Sequence, residues 1–177
     1  LKITYQSFSA KGPSTFNFNG YILKEFNNRW FLVGKREGAS KIRTLALDRI
    51  LKIDIDLSAD YQIDEFDPDV YYQDTYGVTV MNDEQLIDIV LKADKYNAPY
   101  ILTKPLHNSQ RLIEQFNDGS IKIILHVHHN FEIERILLGF ADSIEVMEPI
   151  SLRTRLKEKF ERAYRIHKNK DDTQNSI

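Results

Sequence analysis

The chain has 177 residues, a formal net charge of −2 and no cysteine, and 42% of its residues are apolar while 28% are charged. This composition is typical of one globular domain or two small ones, and it excludes disordered chains, disulfide frameworks and thiol nucleophiles. We expect no membrane contact, because every apolar run is far shorter than the roughly 20 residues of a spanning helix. The lack of cysteine favours a cytoplasmic location.

Charge is distributed unevenly along the chain. Residues 1–56 contain 10 Lys and Arg against 5 Asp and Glu, whereas residues 57–94 contain 1 against 10. Residues 95–177 are near balance, with 13 against 11. Only the first segment is therefore suited to an anionic ligand.

The first 56 residues predict a small antiparallel β-barrel. Aromatic and β-branched residues dominate five short runs, and no helical period lies between them. A turn is expected at Asn27-Asn28. The five runs read KITYQS, TFNFNGYILKEF, RWFLVGK, KIRTLAL and ILKIDID. Residues 57–76 have no clean period and are interpreted as an acidic connector.

Residues 77–165 predict a second unit in which strands and helices follow the order βαββαβ, with one more helix at the end. This order is typical of a ferredoxin-like fold, so the predicted fold class is α+β. Asn117-Asp118-Gly119 is the strongest hairpin signal, because Asp-Gly readily adopts the positive φ angles of a tight turn. Asn130 and Ser151 are the expected caps of the last two helices.

The terminal helix has an apolar stripe that could pack on its own sheet or on a second copy of the chain. Its members recur every four residues, at Leu152, Leu156, Phe160 and Tyr164. We expect a homodimer that forms through residues 77–165, because a unit of this size gains from covering its open sheet. Residues 166–177 lack such a stripe and predict a flexible tail.

Motifs in both units resemble one known family. The segments NNRWFLVG and RTLALDRI, with Trp30-Phe31-Leu32 in the first, resemble the WYL domain of bacterial transcriptional regulators. The segments LHNSQ, NDGSI, FEIERILLGF, IEVMEP and SLR resemble the C-terminal extension that accompanies that domain. Three positions depart from the family pattern, with Phe31 in place of Tyr, Gly20 in place of Pro and Ala46 in place of a second Arg.

The resemblance implies an Sm-like barrel, a ferredoxin-like extension used in dimerisation, and an effector-sensing role in transcription. It implies a small anionic effector, such as a nucleotide or a short single-stranded DNA. It also implies a winged helix-turn-helix upstream that contacts operator DNA. Because the chain opens inside a predicted strand, we expect it to be a fragment from which that domain is absent.

Arg43 and Arg49 are the foremost candidates for ligand binding. A guanidinium group binds phosphate or carboxylate through two parallel hydrogen bonds. The two-residue period of a strand places Arg43 on the same side as Leu45 and Leu47, where a solvated charge is unexpected. In the alternative interpretation, Asp48 pairs with one of these arginines and only fixes the turn.

Four further residues extend this candidate site. Trp30 and Tyr5 could stack on a base, although a strand tryptophan more commonly belongs to a core. Lys35 and Arg36 could enlarge a positive rim, or they could be ordinary solvated charges at a hairpin end.

The remaining candidates predict neither catalysis nor a metal. His126, His128 and His129 cluster without cysteine or paired carboxylates, which favours an exposed strand face or a dimer contact. Ser109 lies near His107, but no nucleophile elbow, HExxH or P-loop is present. We therefore expect no enzyme and no cofactor. Two alternatives stay open, a structural oligomerisation module without a ligand and a constitutive RNA-binding Sm-like protein.

Overall fold

Five strands in the first part of the chain form one antiparallel sheet. The structure is a computed structural model that describes residues 1–57, 65–81 and 85–171. The strands are β1 (Lys2–Tyr5), β2 (Ser14–Phe26), β3 (Arg29–Arg36), β4 (Ile42–Ala46) and β5 (Ile50–Asp54). A 3-10 turn, Leu47–Arg49, joins β4 to β5. All five predicted strands are confirmed, as is the turn at Asn27-Asn28, where both residues have positive φ.

The predicted barrel is not closed. The strand order is β4-β3-β2-β1-β5, and no ladder pairs β4 with β5 among the described residues. The long strand β2 holds the sheet together, because its first residues pair with β1 and its last residues pair with β3. Periodicity identifies the strands, but closure depends on their tilt and stagger, which sequence patterns do not report.

The sheet buries side chains on both of its faces. The core face contains Ile3, Phe18, Leu32 and Leu45. On the second face, Val33 is fully buried. Cross-strand partners share a face, so the register assigns the paired residues of β2, β3 and β4 to one face or the other. Tyr21 lies where the register of β2 against β3 shifts, between Gly20 and Ile22.

The described part of the predicted connector packs against this sheet. It contains a short helix, α1 (Pro68–Tyr72). The ring of Phe66 stacks on Tyr21 with 5.1 Å between centroids, and Lys24 Nζ lies 4.2 Å from the Tyr72 ring centroid. Residues 58–64 of the connector lie outside the described residues.

The chain divides into two compact units. Unit 1 comprises Leu1–Tyr72 and Gly77–Thr79, and unit 2 comprises Gln73–Tyr76 and Val80–Ile177. Among the helices that the structure describes, none is long and apolar enough to cross a bilayer.

Unit 2 has the predicted βαββαβ order with a terminal helix, so the α+β fold class is confirmed. Its antiparallel sheet has the order β7-β8-β6-β9. Its core lies between the sheet and the helices. The elements are β6 (Leu86–Ala93), α2 (Ala98–Thr103), β7 (Arg111–Gln115), β8 (Ile121–His128), α3 (Phe131–Gly139), β9 (Ile144–Glu148) and α4 (Ile150–Asp171).

Local signals in unit 2 are confirmed with one exception. Gly119 joins β7 to β8 with a φ of 86°, and the Asn130 side chain accepts hydrogen bonds from the first turn of α3. The predicted cap at Ser151 is wrong, because α4 begins at Ile150. Pro149 precedes that helix, and its fixed φ suits a helix start. The α4 backbone continues to Asp171, well into the predicted tail, of which residues 172–177 lie outside the described residues.

Strands β2 and β3 approach so closely at Gly34 that no side chain fits there. A Cβ at Gly34 would lie 2.0 Å from the backbone oxygen of Asn19 and 2.7 Å from the Phe18 ring. A backbone oxygen cannot move aside as a flexible side chain can. The pairing of β2 with β3 therefore requires glycine at this position.

We expect Gly34→Ala to destabilise the protein by about 3 kcal/mol or more, because overpacking here must displace backbone. Urea unfolding followed by circular dichroism measures this change. Gly12→Ala is the matched control, since no atom lies within 4 Å of a Cβ at Gly12. Equal unfolding midpoints for both variants would contradict the close approach.

A buried carboxylate on α3 fastens α4 to unit 2. The Glu134 side chain is 2% exposed, and Arg155 Nε lies 2.9 Å and His129 Nε2 lies 2.7 Å from its Oε1 atom. Lys159 donates a hydrogen bond to its Oε2 atom. Burial raises the pKa of Glu134, but the hydrogen bond from Lys159 and the charges of Arg155 and Lys159 outweigh burial. The pKa of Glu134 therefore lies below its ordinary value.

Glu134→Gln should lower the free energy of unfolding at pH 7 by about 2 kcal/mol, less than for fully buried pairs, because the cations keep access to water. A carboxylate with a lowered pKa stabilises the fold above its ordinary pKa of 4.5, and this stabilisation is lost as the pH falls through the folded pKa. The difference in the free energy of unfolding between wild type and Glu134→Gln should therefore become smaller as the pH is lowered from 7 to about 3. The exposed Glu158→Gln is the control, and a constant difference across this range would refute the assignment.

Candidate anion-binding site

Arg43 completes a row of three residues across the sheet of unit 1. It lies opposite Gly34 on β3, and Gly34 lies opposite Gly20 on β2. Because cross-strand partners share a face, Arg43 carries the only side chain in this row. The row lies on the core face, together with Leu45. The prediction that Arg43 shares a side with Leu45 is therefore confirmed, whereas Leu47 lies in the 3-10 turn outside the strand alternation.

The Arg43 side chain is exposed and carries an unused set of hydrogen-bond donors. Among the described residues it has no hydrogen bond, ion pair or aromatic partner. Asp48, the acid that could have paired with it, lies 3.4 Å from Arg29 Nε instead. The five N–H donors of this guanidinium are therefore available to a ligand.

Lys35 and Arg36, which were predicted to enlarge a positive rim, lie on opposite faces of the sheet. Arg36 shares the core face with Arg43, and its guanidinium carbon lies 4.7 Å from the Phe16 ring centroid. Lys35 is the next residue along the strand, so it lies on the second face, opposite Ile42. Only Arg36 can therefore add positive charge on the side of Arg43.

The two predicted aromatic residues differ in exposure. Trp30 is 52% exposed and pairs with Glu25, so the interpretation of Trp30 as a core residue is wrong. Its position near the start of β3 explains this exposure, because the sheet ends there. Tyr5 is partly buried and packs against the core. Its ring therefore has less surface for a ligand than the indole of Trp30.

Arg49 lies in the 3-10 turn, separated from Arg43 by most of β4. The two arginines therefore lie in different elements and have different neighbours. The Arg49 guanidinium carbon lies 4.3 Å from the ring centroid of Phe8, which the sequence analysis missed. The only signal for Phe8 is a single aromatic residue inside the polar loop QSFSAKGP.

Ala46, which stands in place of the second arginine of the family pattern, is buried in the sheet. Ala46 is 2% exposed and pairs with Phe31 on the second face. This position is therefore packed, and it lies on the face opposite Arg43. A second arginine here would not extend the row that Arg43 completes.

The three clustered histidines of unit 2 have separate surroundings. His126 Nδ1 lies 2.7 Å from Asp88 Oδ1 across the sheet, and His129 binds Glu134. His128 Nδ1 is buried and has no partner in the described chain. Within residues 1–57, 65–81 and 85–171, no group of three or more His, Cys, Asp or Glu is placed to hold a metal.

Ser109 and His107 form a local turn. Ser109 Oγ lies 2.8 Å from His107 Nδ1, which also accepts the Ser109 backbone N–H at 3.1 Å. The same hydroxyl oxygen accepts the His126 backbone N–H at 2.9 Å. Burial lowers the pKa of His107, against the opposing charge of Asp74. These hydrogen bonds tie the loop before β7 to β8.

Two domain families match the chain. A WYL domain matches residues 1–55 and a WCX domain matches residues 85–164. The chain therefore contains a WYL domain followed by a WCX domain. The WYL domain contains all six predicted ligand residues, and the WCX domain covers most of unit 2.

No curated protein sequence matches the chain. Among solved structures, it is similar to proteasome accessory factor B/C (PafBC) of Arthrobacter aurescens, with 16% identity and a TM-score of 0.37. The match covers 88% of this chain and 23% of PafBC, so the chain spans about a quarter of that protein's length.

Proposed function

We propose that the chain is the effector-sensing and dimerising part of a bacterial transcriptional regulator, and that its WYL domain binds a small anionic ligand, a nucleotide or short single-stranded DNA. The WYL and WCX domains support a regulatory role. The observation that carries the ligand class is the exposed Arg43 guanidinium, which has no partner among the described residues. Operator DNA is contacted through a further domain, and this part of the protein has no enzymatic activity and acts in the cytoplasm.

None of the carboxylates of the WYL domain, all of which the structure describes, pairs with Arg43. Three of these carboxylates have nearby partners, namely Asn17 for Glu37, Arg29 for Asp48 and Lys52 for Asp54. A phosphate is the natural counter-ion for a free guanidinium, because the two groups form two parallel charge-assisted hydrogen bonds. Arg36 adds a second positive charge on the same face.

Binding changes regulation when the ligand prefers one arrangement of the dimer. A ligand shifts a conformational equilibrium only by its difference in affinity for the two states. The proposal therefore requires the anion to bind one dimer arrangement more tightly than the other.

Arg43→Glu should weaken binding of a dye-labelled single-stranded DNA hexamer about 100-fold, the scale of losing charge-assisted hydrogen bonds. Arg43→Lys should weaken it less, because it keeps the charge and loses the planar fork. Fluorescence anisotropy at several salt concentrations measures both, and each neutralised phosphate contributes a slope of about −0.7 to log K against log salt.

Arg29→Glu is the matched control, because it changes the net charge equally but replaces a residue that is already paired with Asp48. An equal loss in both variants would indicate a general field effect instead of an Arg43 site. Absence of binding by the wild type would favour the ligand-free oligomerisation module. A preference for long structured RNA over the hexamer would favour the RNA-binding alternative.

Dimerisation is proposed to use the exposed end of α4. Leu152 and Leu156 are buried in the core of unit 2, whereas Phe160 and Tyr164 continue the same stripe at 37% and 65% exposure. The part of the stripe that lies outside the core of unit 2 is exposed apolar surface, on which a second copy of the chain can pack. The other predicted contact is the strand face of His126 and His128, where His126 Nδ1 lies 2.7 Å from Asp88 Oδ1 and His128 Nδ1 is buried.

Changing both Phe160 and Tyr164 to Ser should convert a dimer into a monomer, because each large apolar side chain buried at an interface contributes about 1.5 to 3 kcal/mol. Sedimentation velocity of the whole chain at micromolar concentration measures this change. Changing Tyr96 and Tyr100 to Ser is the control, since these residues are 73% and 74% exposed but lie outside α4. A double variant that stays dimeric would exclude this end of α4 as the contact.

A further inference from the structure

The loop between β1 and β2 carries an exposed aromatic ring that faces an arginine. Phe8 is 81% exposed, and the Arg49 guanidinium carbon lies 4.3 Å from its ring centroid. Single exposed apolar residues are common and need no explanation. The pairing of this ring with a guanidinium that no acid of the described residues neutralises is the feature that indicates a ligand.

Arg49 is held in place by its backbone, while its side chain keeps hydrogen-bonding capacity. Its carbonyl oxygen accepts the Gln6 backbone N–H at 3.1 Å, and the next residue, Ile50, pairs with Tyr5. The neighbouring acid, Asp48, lies against Arg29. Arg49 Nε is buried and has no hydrogen-bond partner in the part of the chain that the structure describes. The backbone of Arg49 is therefore anchored, and no described side chain forms an ion pair or a hydrogen bond with its guanidinium.

Stacking leaves the strongest interactions of a guanidinium unused. A ring occupies one flat face of the group, whereas its N–H donors point outward in the plane. Those donors suit a phosphate. The second face of the Phe8 ring suits a planar base, because every base has a π-face that stacks on aromatic side chains.

We propose that Phe8 and Arg49 form a stacking subsite for one nucleotide unit of a short single-stranded nucleic acid, with the base on Phe8 and the phosphate on Arg49. The ligand class rests on the proposed function, and the subsite adds a second contact point to it. Arg43 is the second residue of β4, and the 3-10 turn that contains Arg49 begins four residues later, at Leu47. The proposal assigns the two arginines to different parts of the ligand, which favours an oligonucleotide over a mononucleotide.

The test uses the whole chain and two dye-labelled probes, a hexamer of thymidine and an abasic hexamer with the same number of phosphates. Phe8→Ala should weaken binding of the thymidine hexamer about tenfold, the scale of losing one stacked base, and should leave binding of the abasic hexamer unchanged. Phe8→Tyr should restore wild-type binding of the thymidine hexamer, because it retains an aromatic face. Since Phe8 is highly exposed, its truncation leaves the core intact.

Tyr96→Ala is the matched control. Tyr96 is 73% exposed and Lys95 Nζ lies 5.0 Å from its ring centroid, so it is another exposed aromatic residue beside a cation, in unit 2. Its removal should change the affinity for neither probe. An equal loss in Tyr96→Ala and Phe8→Ala would overturn the subsite.

The remaining outcomes separate the subsite from the proposed function. If Arg43→Glu weakens binding and Phe8→Ala does not, the subsite is wrong and the anion site stands. If Phe8→Ala weakens binding of both probes equally, no base stacks on Phe8 and the subsite is again wrong. If Phe8→Ala weakens binding of the thymidine hexamer and Arg43→Glu does not, the subsite is supported and the proposed role of Arg43 is wrong. A wild-type chain that binds neither probe would overturn both.

Discussion

The sheet of the WYL domain depends on a close approach of two strands at Gly34, which lies in the same cross-strand row as Gly20 and Arg43. Gly34 has no room for a Cβ, because the Asn19 backbone oxygen lies where that atom would be. The close approach fixes Gly20 opposite Gly34, and the next pairing fixes Gly34 opposite Arg43. Arg43 therefore carries the only side chain of this row, while the Phe18 ring and the Leu32 side chain, which come from neighbouring rows, lie close to the two glycines.

The two units use charge in opposite ways. In unit 2, a buried carboxylate gathers several cations, and their mutual neutralisation holds α4 against α3. In the WYL domain, the acids have local partners, whereas Arg36 and Arg49 lie over phenylalanine rings. An aromatic ring attracts a cation without occupying its in-plane donors, so these arginines remain able to bind an anion.

Most elements of the fold could be predicted because their signals are local. The hairpin at Gly119 and the cap at Asn130 depend on a few consecutive residues, and the structure has both. The two-residue period also placed Arg43 correctly on the side of Leu45. The predictions that failed depended on more than neighbouring residues. Ser151 is not a cap because Pro149 already precedes the helix, and Trp30 is exposed because the sheet ends beside it.

The sequence by itself determined the strands, the helices of unit 2, the family resemblance and the face of Arg43, since periodicity and turn chemistry act over short distances. It did not predict the short helix α1 in the connector. Tertiary structure decided that the five-stranded sheet stays open, that part of the acidic connector packs on that sheet, and that Asp48 pairs with Arg29. It also placed Phe8 beside Arg49. These features depend on contacts between residues that are far apart in the sequence, and such contacts are decided by how the chain packs.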